Sequence, residues 1–259
     1  MRGDHSPHFL AKPRVARARS KMEGSMPKAI ITGASAGLGR ELAKLMAKDG
    51  WALGLLARNQ AALQALAAEL GPSVKVRAAD VTDSESLPAH LDALVEQLGG
   101  LDCIVINAGV SPHNRKLAWE PDRQTVLTNV LGFAACASWA ARLFYQQKHG
   151  HIVGISSIAA LRGSAAVPAY NASKAFVSHY LEGLRFNLSR FGIFVTDVRP
   201  GWVHTAMTKG AKGMFWVVQP DAAARGIYLA IQRKKKVAYV PRRWMLLAVL
   251  SAVTPGNLY

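Results

Sequence analysis

Two residues four positions apart, Tyr170 and Lys174, form the pair with the clearest catalytic potential in the sequence. Both fall in a helix predicted over 168–192, where residues i and i+4 lie on the same face. A free phenol titrates near pH ~10, which is too high for easy proton exchange at neutral pH. A neighbouring ammonium favours the phenolate, so we expect the pKa of Tyr170 to be lowered. Such pairs also occur by chance on helix surfaces, and the surrounding motifs must decide between the two interpretations.

A glycine-rich segment, TGASAGLG at 32–39, joins the first predicted strand to the first predicted helix. Glycines at such a turn let the chain reverse sharply and let a pyrophosphate lie against the backbone at a helix N-terminus. The spacing G-x-x-x-G-x-G differs from the G-x-G-x-x-G of many dinucleotide-binding proteins. A plain structural turn also explains these glycines, but their place between strand and helix favours a dinucleotide site.

Apolar segments alternate with amphipathic ones along the chain. Strands are predicted at 29–32, 51–57, 74–80, 101–109, 150–157, 193–201 and 236–240. Helices are predicted at 38–50, 59–70, 83–99, 121–147, 168–192 and 221–232. Strands that are apolar throughout are typical of a parallel sheet covered on both faces. The pattern therefore predicts an α/β fold, a single Rossmann-type doubly wound parallel sheet of about seven strands with helices on both faces.

The composition supports one globular domain and excludes several other classes of protein. The chain has 259 residues, 50% of them hydrophobic, which argues against a disordered chain. Its longest apolar stretch, Trp244 to Val253, is shorter than the roughly 20 residues that span a bilayer. Cys103 and Cys136 lie in apolar runs and are expected to be buried in a reducing, cytoplasmic setting. The histidines show no metal-ligand spacing, so we expect no metal site.

Much of the net charge of +16 lies in two segments. Residues 1–25 hold six cations against two acids, and residues 233–243 hold six cations and no acid. A charge so placed says little about the fold and does not call for nucleic acid as a partner. Residues 1–25 lack apolar periodicity and are predicted to be a disordered basic extension before the folded domain, 26–241. A transit peptide and a simple upstream extension both remain open for them.

Taken together in their order, these and further motifs resemble the short-chain dehydrogenase/reductase family. The resemblance covers nearly all of residues 27–241. It rests on TGASAGLG (32–39), Asp80-Val81, Asn107-Ala108-Gly109, Asn129, Ser157, Tyr170-Asn171-Ala172-Ser173-Lys174 and Pro200-Gly201. One departure is Ile106, where many members carry a second asparagine. The family implies a nicotinamide-dependent enzyme that interconverts a carbonyl and an alcohol.

The resemblance implies four catalytic residues, which are Asn129, Ser157, Tyr170 and Lys174. Ser157 is expected to donate to the substrate oxygen, and Tyr170 is expected to protonate that oxygen during reduction. Lys174 is expected to bind the nicotinamide ribose, and Asn129 to hold a water that links Lys174 to solvent. Asparagine is a poor helix former, so an Asn129 that caps a local kink is also compatible with this position.

The same resemblance implies a set of cofactor-binding residues drawn from separate segments of the chain. They are Gly33, Ser35, Gly37, Leu38, Gly39, Arg58, Asp80, Val81, Asn107, Ala108, Gly109, Tyr170, Lys174, Pro200, Gly201, Val203 and Thr205. Asp80 and Val81 are expected to hold the adenine, and the Asn107 segment to line the cleft floor. The backbone of Val203 and the hydroxyl of Thr205 are expected to hold the carboxamide.

Arg58, at the end of the second predicted strand, favours NADP(H) over NAD(H) as the cofactor. An acid at this place would accept from a ribose 2′-hydroxyl and repel a 2′-phosphate, but positions 55–60 hold none. A guanidinium matches a phosphate in geometry and charge, and Ser35 adds a hydroxyl donor. Against this, Ala36 stands where many NADP-using relatives have a basic residue. A solvated Arg58 is the alternative.

We therefore expect an NADP(H)-dependent carbonyl reductase or alcohol dehydrogenase. The alternatives are an NAD-dependent alcohol dehydrogenase of the same family and a non-catalytic dinucleotide-binding regulatory module. The presence of both Tyr170 and Lys174 favours an enzyme. Apolar residues between Gly201 and Asp221, among them Met207 and the run 214–218, favour an apolar substrate, although core packing explains them equally well.

Two kinds of macromolecular contact are expected. The resemblance implies a homodimer or homotetramer that pairs the helices predicted at 121–147 and 168–192. The apolar C-terminal tail, 242–259, is predicted to form a helix with Trp244, Leu247, Ala248 and Ser251 on one stripe, yet it is apolar almost all round and must be covered. A neighbouring subunit and peripheral contact with an anionic membrane are the two alternatives.

Overall fold

Seven parallel strands form one sheet in the computed structural model, which describes residues 26–210 and 213–253. The strands are β1 (Lys28–Thr32), β2 (Ala52–Ala57), β3 (Val74–Ala78), β4 (Cys103–Ile106), β5 (Gly150–Ile155), β6 (Ile193–Pro200) and β7 (Val237–Val240). Their order is β3-β2-β1-β4-β5-β6-β7. The direction of winding reverses between β1 and β4, and in such sheets the ligand crevice lies outside the carboxyl ends of the strands at this point. The predicted doubly wound sheet is confirmed.

Helices cover both faces of the sheet. They are α1 (Gly37–Lys48), α2 (Gln60–Leu70), α3 (Leu87–Leu98), α4 (Trp119–Val126), α5 (Phe133–Gln147), α6 (Pro168–Leu188), α7 (Pro220–Gln232) and α8 (Trp244–Val253). Helices α1, α2 and α7 share one core, whereas α3, α5 and α6 share the other. Neighbouring residues of β1 show the division, because Ile31 packs in the first core and Ile30 in the second. This two-sided burial explains why the strands are apolar at nearly every position.

The helix predicted over 121–147 differs from the structure at its centre. It begins at Trp119 and widens into a π-helical segment, Leu127–Gly132, between α4 and α5. Such segments insert an extra residue per turn and are frequent at functional sites. By length and composition the stretch Trp119–Gln147 is apolar enough to cross a membrane. However, two large apolar residues of this stretch, Phe133 and Phe144, are buried in the second core of the domain.

The C-terminal helix is covered in part by its own chain. Trp244 and Ala248, two of the four residues predicted on one stripe, are buried in the domain. Neither of the two alternatives considered from the sequence, a neighbouring subunit or a membrane, therefore covers these two residues. Four other apolar side chains of α8 are exposed, namely Met245, Leu246, Val249 and Leu250. Residues 1–25 and 254–259 lie outside the described part of the chain.

Candidate active site

A cleft of about 400 Å³ opens at the carboxyl ends of the central strands. Of the residues predicted to bind the cofactor or to act in catalysis, all but Gly39 and Asn129 line it. Gly39 and Asn129 lie behind its wall, where they support lining residues. Ala36 and Met207, which the sequence analysis considered for cofactor preference and substrate contact, also line it. Further lining residues that the sequence did not indicate are Ala57, Asn59, Ala79, Val110, Thr128, Ile155, Ser156, Ala206 and Thr208.

The glycine loop between β1 and α1 is packed too closely for side chains at two of its positions. Gly33 has a φ of +66°, and a Cβ there would lie 2.9 Å from the Cα of Ala108. A Cβ on Gly39 would lie 2.5 Å from the carbonyl oxygen of Gly33. Both glycines therefore let the loop fold back on itself at the start of α1, with its backbone facing the cleft. This cradle fits the pyrophosphate of a dinucleotide.

Thr32 joins the glycine loop to the segment after β4, a role that the sequence did not indicate. Its hydroxyl accepts from the backbone N–H groups of Asn107 and Ala108, at 3.0 and 3.1 Å. The Asn107 amide donates in turn to the carbonyl oxygens of Thr32 and Gly33, at 3.0 and 3.2 Å. The signal available in the sequence was one polar residue at the end of an apolar strand. The structure shows that this residue, Thr32, is fully buried. These bonds fix the two halves of the cleft floor to each other.

Arg58 and Asp80 lie together at the end of the cleft beyond β2 and β3. Arg58 Nη1 is 3.8 Å from Asp80 Oδ2, and the arginine side chain is 64% exposed. The other carboxylate oxygen of Asp80 accepts from the N–H of Thr82 at 3.0 Å. An ion pair this long and this exposed contributes little energy, so Arg58 is able to bind another anion in the cleft.

Ser157 and Tyr170 meet on the opposite side of the cleft. Ser157 lies two residues beyond the end of β5, whereas Tyr170 lies in the first turn of α6 and hydrogen-bonds to Ser157. Burial raises the pKa of Tyr170, and the bond from Ser157 opposes that shift. The expectation that the neighbouring lysine lowers the pKa of this phenol is therefore wrong, because the cost of burying a phenolate dominates. Tyr170 is protonated at neutral pH and is able to donate a proton.

Lys174 lies one helical turn beyond Tyr170 and is buried. Its ammonium lies 5.6 Å from the centre of the Tyr170 ring and donates to the carbonyl oxygen of Ile155 at 2.8 Å. Burial lowers the pKa of Lys174 to about 8, and the carboxylate of Asp197 opposes this shift. The ammonium of Lys174, whose pKa is lowered towards neutrality, thus lies beside the phenol of Tyr170.

Asn129 occupies the π-helical segment and holds the chain next to Lys174. Its amide pairs with both backbone groups of Val110, each at 2.8 Å, and donates to the Ser173 hydroxyl at 3.0 Å. Gly109 separates it from the lysine: a Cβ there would lie 3.3 Å from Asn129 Oδ1 and 3.5 Å from Lys174 Nζ. Asn129 lies where the helix widens into the π-helical segment, and the kink considered from the sequence stays a prediction. The role of this residue in holding water stays a prediction.

A buried carboxylate behind the cleft, Asp197 on β6, is a second residue that the sequence did not indicate. Ser156, the residue before the catalytic serine, donates to Asp197. Arg199 donates from Nε to the same carboxylate at 2.7 Å and from Nη1 to the Tyr239 hydroxyl at 3.0 Å. A single acid does not alter the apolar pattern of its strand, so no pattern in the sequence indicated Asp197. Its negative charge favours the protonated form of Lys174.

The segment after Gly201 closes the cleft on the side of α1. Thr205 lies close to Gly37, since a Cβ on that glycine would be 3.5 Å from the threonine methyl group. Met207 lines the cleft, whereas Phe215 and Trp216 pack on Trp244. Substrate contact is therefore the interpretation that fits Met207, whereas core packing fits Phe215 and Trp216.

Comparison with known proteins agrees with this geometry. Residues 27–214 match the family model described as short chain dehydrogenase. An oxidoreductase of Myxococcus xanthus (strain DK1622) is 41% identical over 191 residues, which are 72% of this chain and 76% of that protein. The fold is similar to a short-chain dehydrogenase from Sphingobium yanoikuyae in complex with NADPH, with a TM-score of 0.76, 28% identity, and coverage of 90% of this chain and all of that one. It is also similar to the 3-ketoacyl-(acyl-carrier-protein) reductase from Brucella melitensis complexed with NADH, with a TM-score of 0.74, 26% identity, and coverage of 82% and 95%.

Proposed function

The chain belongs to the short-chain dehydrogenase family and is an oxidoreductase, and we propose that it uses NADP(H) to reduce the carbonyl of an apolar substrate or to oxidise the corresponding alcohol. One observation carries the proposal: Ser157, Tyr170 and Lys174 converge on one side of a cleft whose floor is the glycine cradle. An unreactive binding module has no need of a phenol and an ammonium placed one helical turn apart in that cleft.

The chain's own residues handle the proton of the reaction. NADPH, when bound along the glycine cradle, supplies two electrons and a hydrogen to the carbonyl carbon. The Ser157 hydroxyl donates to the carbonyl oxygen and stabilises the negative charge that develops there. Tyr170 then transfers its proton to that oxygen. The ammonium of Lys174 stabilises the resulting phenolate and returns a proton to it, while Asn129 holds the segment that faces Lys174.

The preference for NADP(H) is supported by the charge at the adenosine end of the cleft. Arg58 is mostly exposed and only weakly paired with Asp80, so its guanidinium is able to face a 2′-phosphate. Similar structures include both an NADPH complex and an NADH complex. The preference of this chain therefore rests on Arg58 and on the lack of an acid at positions 55–60.

The preference for an apolar substrate is supported by apolar residues of the cleft that holds Tyr170. Val110 and Met207 line it with aliphatic groups, and Met207 is 45% exposed. Because methionine is flexible, it adapts to apolar groups of different shape. The 3-ketoacyl reductase from Brucella melitensis suggests an acyl chain as one group to test.

A homodimer or homotetramer belongs to the same proposal. Large apolar side chains are exposed along the stretch from α4 to α6, on the helices predicted to pair. They are Trp119, Val126, Leu131, Tyr145 and Phe186. Pairing of these helices around a two-fold axis buries such side chains on both copies at once.

A substrate panel tests the proposed reaction. We would follow oxidation of NADPH and of NADH separately with aliphatic ketones of increasing length, a bulky cyclic ketone, a 3-ketoacyl thioester and a short polar ketone. We expect kcat/KM to rise with apolar size and to be at least about tenfold greater with NADPH, as one strong phosphate contact implies. Equal rates with the two cofactors contradict the NADP(H) preference, and a preference for the polar ketone contradicts the substrate class.

A further inference from the structure

Helix α8 is held by one side to the domain and turns its other side to solvent. The indole of Trp244 packs on Gly201 and on the rings of Phe215 and Trp216, with ring centroids 4.9 and 5.3 Å away. Arg243 adds a hydrogen bond of 3.1 Å to the Trp216 carbonyl oxygen. With this side fixed, the apolar residues on the other side are between 48% and 67% exposed. They are Met245, Leu246, Val249 and Leu250.

A cationic groove lies next to this exposed side. It has a volume of about 340 Å³ and runs between α7, β7 and α8. Leu229, Val218 and Pro241 give it apolar walls, and Arg233, Lys235 and Arg242 also line it. Met245 belongs both to the groove and to the exposed side of α8, so the two form one continuous surface. We call this surface, the exposed side of α8 with the groove, the docking surface.

The charged residues that line the groove are all cations. From Ala222 to the C-terminus the sequence holds seven lysines and arginines and no acid, and one of the seven, Arg225, is paired with the preceding Asp221. A second copy placed on this surface by two-fold symmetry sets cations against cations, and residues 1–25 are themselves basic. Nucleic acid complements the charge but offers no partner for a row of aliphatic side chains. An anionic lipid bilayer complements both features.

We propose that the docking surface binds the face of an anionic lipid bilayer, with α8 lying in the interface. Ten residues of helix span about 15 Å, half of the roughly 30 Å of a hydrocarbon core, so α8 lies along the membrane and does not cross it. The aliphatic side chains enter the boundary between headgroups and acyl chains, and the groove cations face the lipid phosphates. This proposal does not depend on the proposed reaction, because it concerns residues outside the cleft.

Co-sedimentation of the full chain with lipid vesicles tests the charge contribution. We expect binding to vesicles of equal parts phosphatidylcholine and phosphatidylglycerol, none to phosphatidylcholine alone, and weaker binding as NaCl is raised from about 0.1 M to about 0.5 M. Lys235→Gln should weaken binding about fivefold. Lys75→Gln removes the same charge from β3, at the opposite edge of the sheet, and should leave binding unchanged.

A second pair of variants tests the apolar contribution. Leu246→Ser should weaken vesicle binding about tenfold, because a side chain that enters the interface is lost. Leu117→Ser removes an exposed aliphatic group from the loop before α4 and should leave binding unchanged. Circular dichroism melting checks that each variant is folded.

Three outcomes overturn the proposal. The first is no binding to anionic vesicles at low salt. The second is binding that neither Lys235→Gln nor Leu246→Ser weakens, which assigns the contact to another segment such as residues 1–25. The third is a fall in the mass measured by light scattering for Leu246→Ser, which assigns the surface to a second copy of the chain.

Discussion

The ammonium of Lys174 donates to the backbone carbonyl oxygen of Ile155, the last residue of β5, at 2.8 Å. This bond connects the part of α6 that lines the cleft to β5, the strand that leads into Ser157. Burial lowers the pKa of Lys174 to about 8, and the carboxylate of Asp197 opposes this shift. Proton transfer in the cleft is therefore sensitive to pH just above neutrality.

The first prediction concerns the pH dependence of reduction. As pH rises through about 8, Lys174 loses its proton and with it the charge that stabilises the Tyr170 phenolate. We expect kcat/KM for carbonyl reduction to fall by about tenfold per pH unit above that point. Asp197→Asn removes the opposing charge and should move the fall to lower pH. A profile that is flat up to pH ~10 contradicts the role given to Lys174.

The second prediction concerns the proton donor. Tyr170→Phe removes the phenolic proton but leaves the glycine cradle, Arg58 and Asp80 in place. We expect turnover to fall by at least about a thousandfold, within the range that general acids contribute, with NADPH affinity changed only a few-fold. The matched control is Tyr180→Phe on the same helix, which should retain activity. Undiminished reduction by Tyr170→Phe refutes the mechanism.

The third prediction concerns the choice of cofactor. Arg58→Asp replaces a partner of the 2′-phosphate with a group that repels it and that accepts from a ribose 2′-hydroxyl. We expect the ratio of kcat/KM for NADPH to that for NADH to reverse, while kcat with the better cofactor changes little. Arg77→Asp, on β3 and outside the cleft lining, makes the same change of charge and should leave the ratio unchanged. If Arg58→Asp leaves NADPH affinity unchanged, the guanidinium does not contact the 2′-phosphate.

Residues at strand ends were predictable from the sequence, because parallel strands bring their carboxyl ends to one edge. Gly33, Asn107 and Ser157 follow three different strands and meet there for that reason. The expected pKa of Tyr170 was wrong because the sequence shows its charged neighbour but not its burial. Asp197 escaped notice because its single negative charge stands in an apolar strand, and Ser156, which donates to it from the end of β5, becomes a neighbour only in the folded sheet.

The helical features were less predictable. The π-helical segment around Asn129 inserts an extra residue per turn, and this shift leaves the apolar pattern of 121–147 almost intact. The contact of Trp244 with Gly201 joins residues 43 positions apart, so the partial burial of α8 could not be read from its own uniformly apolar sequence.

The last prediction concerns stability at acid pH and rests on a buried histidine remote from the cleft. His151 on β5 is 6% exposed, and its Nε2 lies 2.7 Å from the hydroxyl of Thr196. That hydroxyl donates to the carbonyl oxygen of Lys235, so we infer that Nε2 carries the proton donated to Thr196. Burial lowers the pKa of His151 to about 4, with Lys234 contributing in the same direction.

Because the unfolded chain binds a proton at this histidine near pH 6.5 and the folded chain only near pH 4, the stabilising contribution of His151 is complete above about pH 6.5 and is lost as pH falls towards 4. We expect the free energy of unfolding to be about 2 kcal/mol lower at pH 5 than at pH 7 on account of this group. Urea unfolding at the two pH values measures the difference. His151→Gln retains an amide donor for Thr196 without a titrating ring and should lose most of the pH dependence, whereas His149→Gln on the adjoining exposed turn should retain it. An equal pH dependence in the His151→Gln variant assigns the acid sensitivity to other groups.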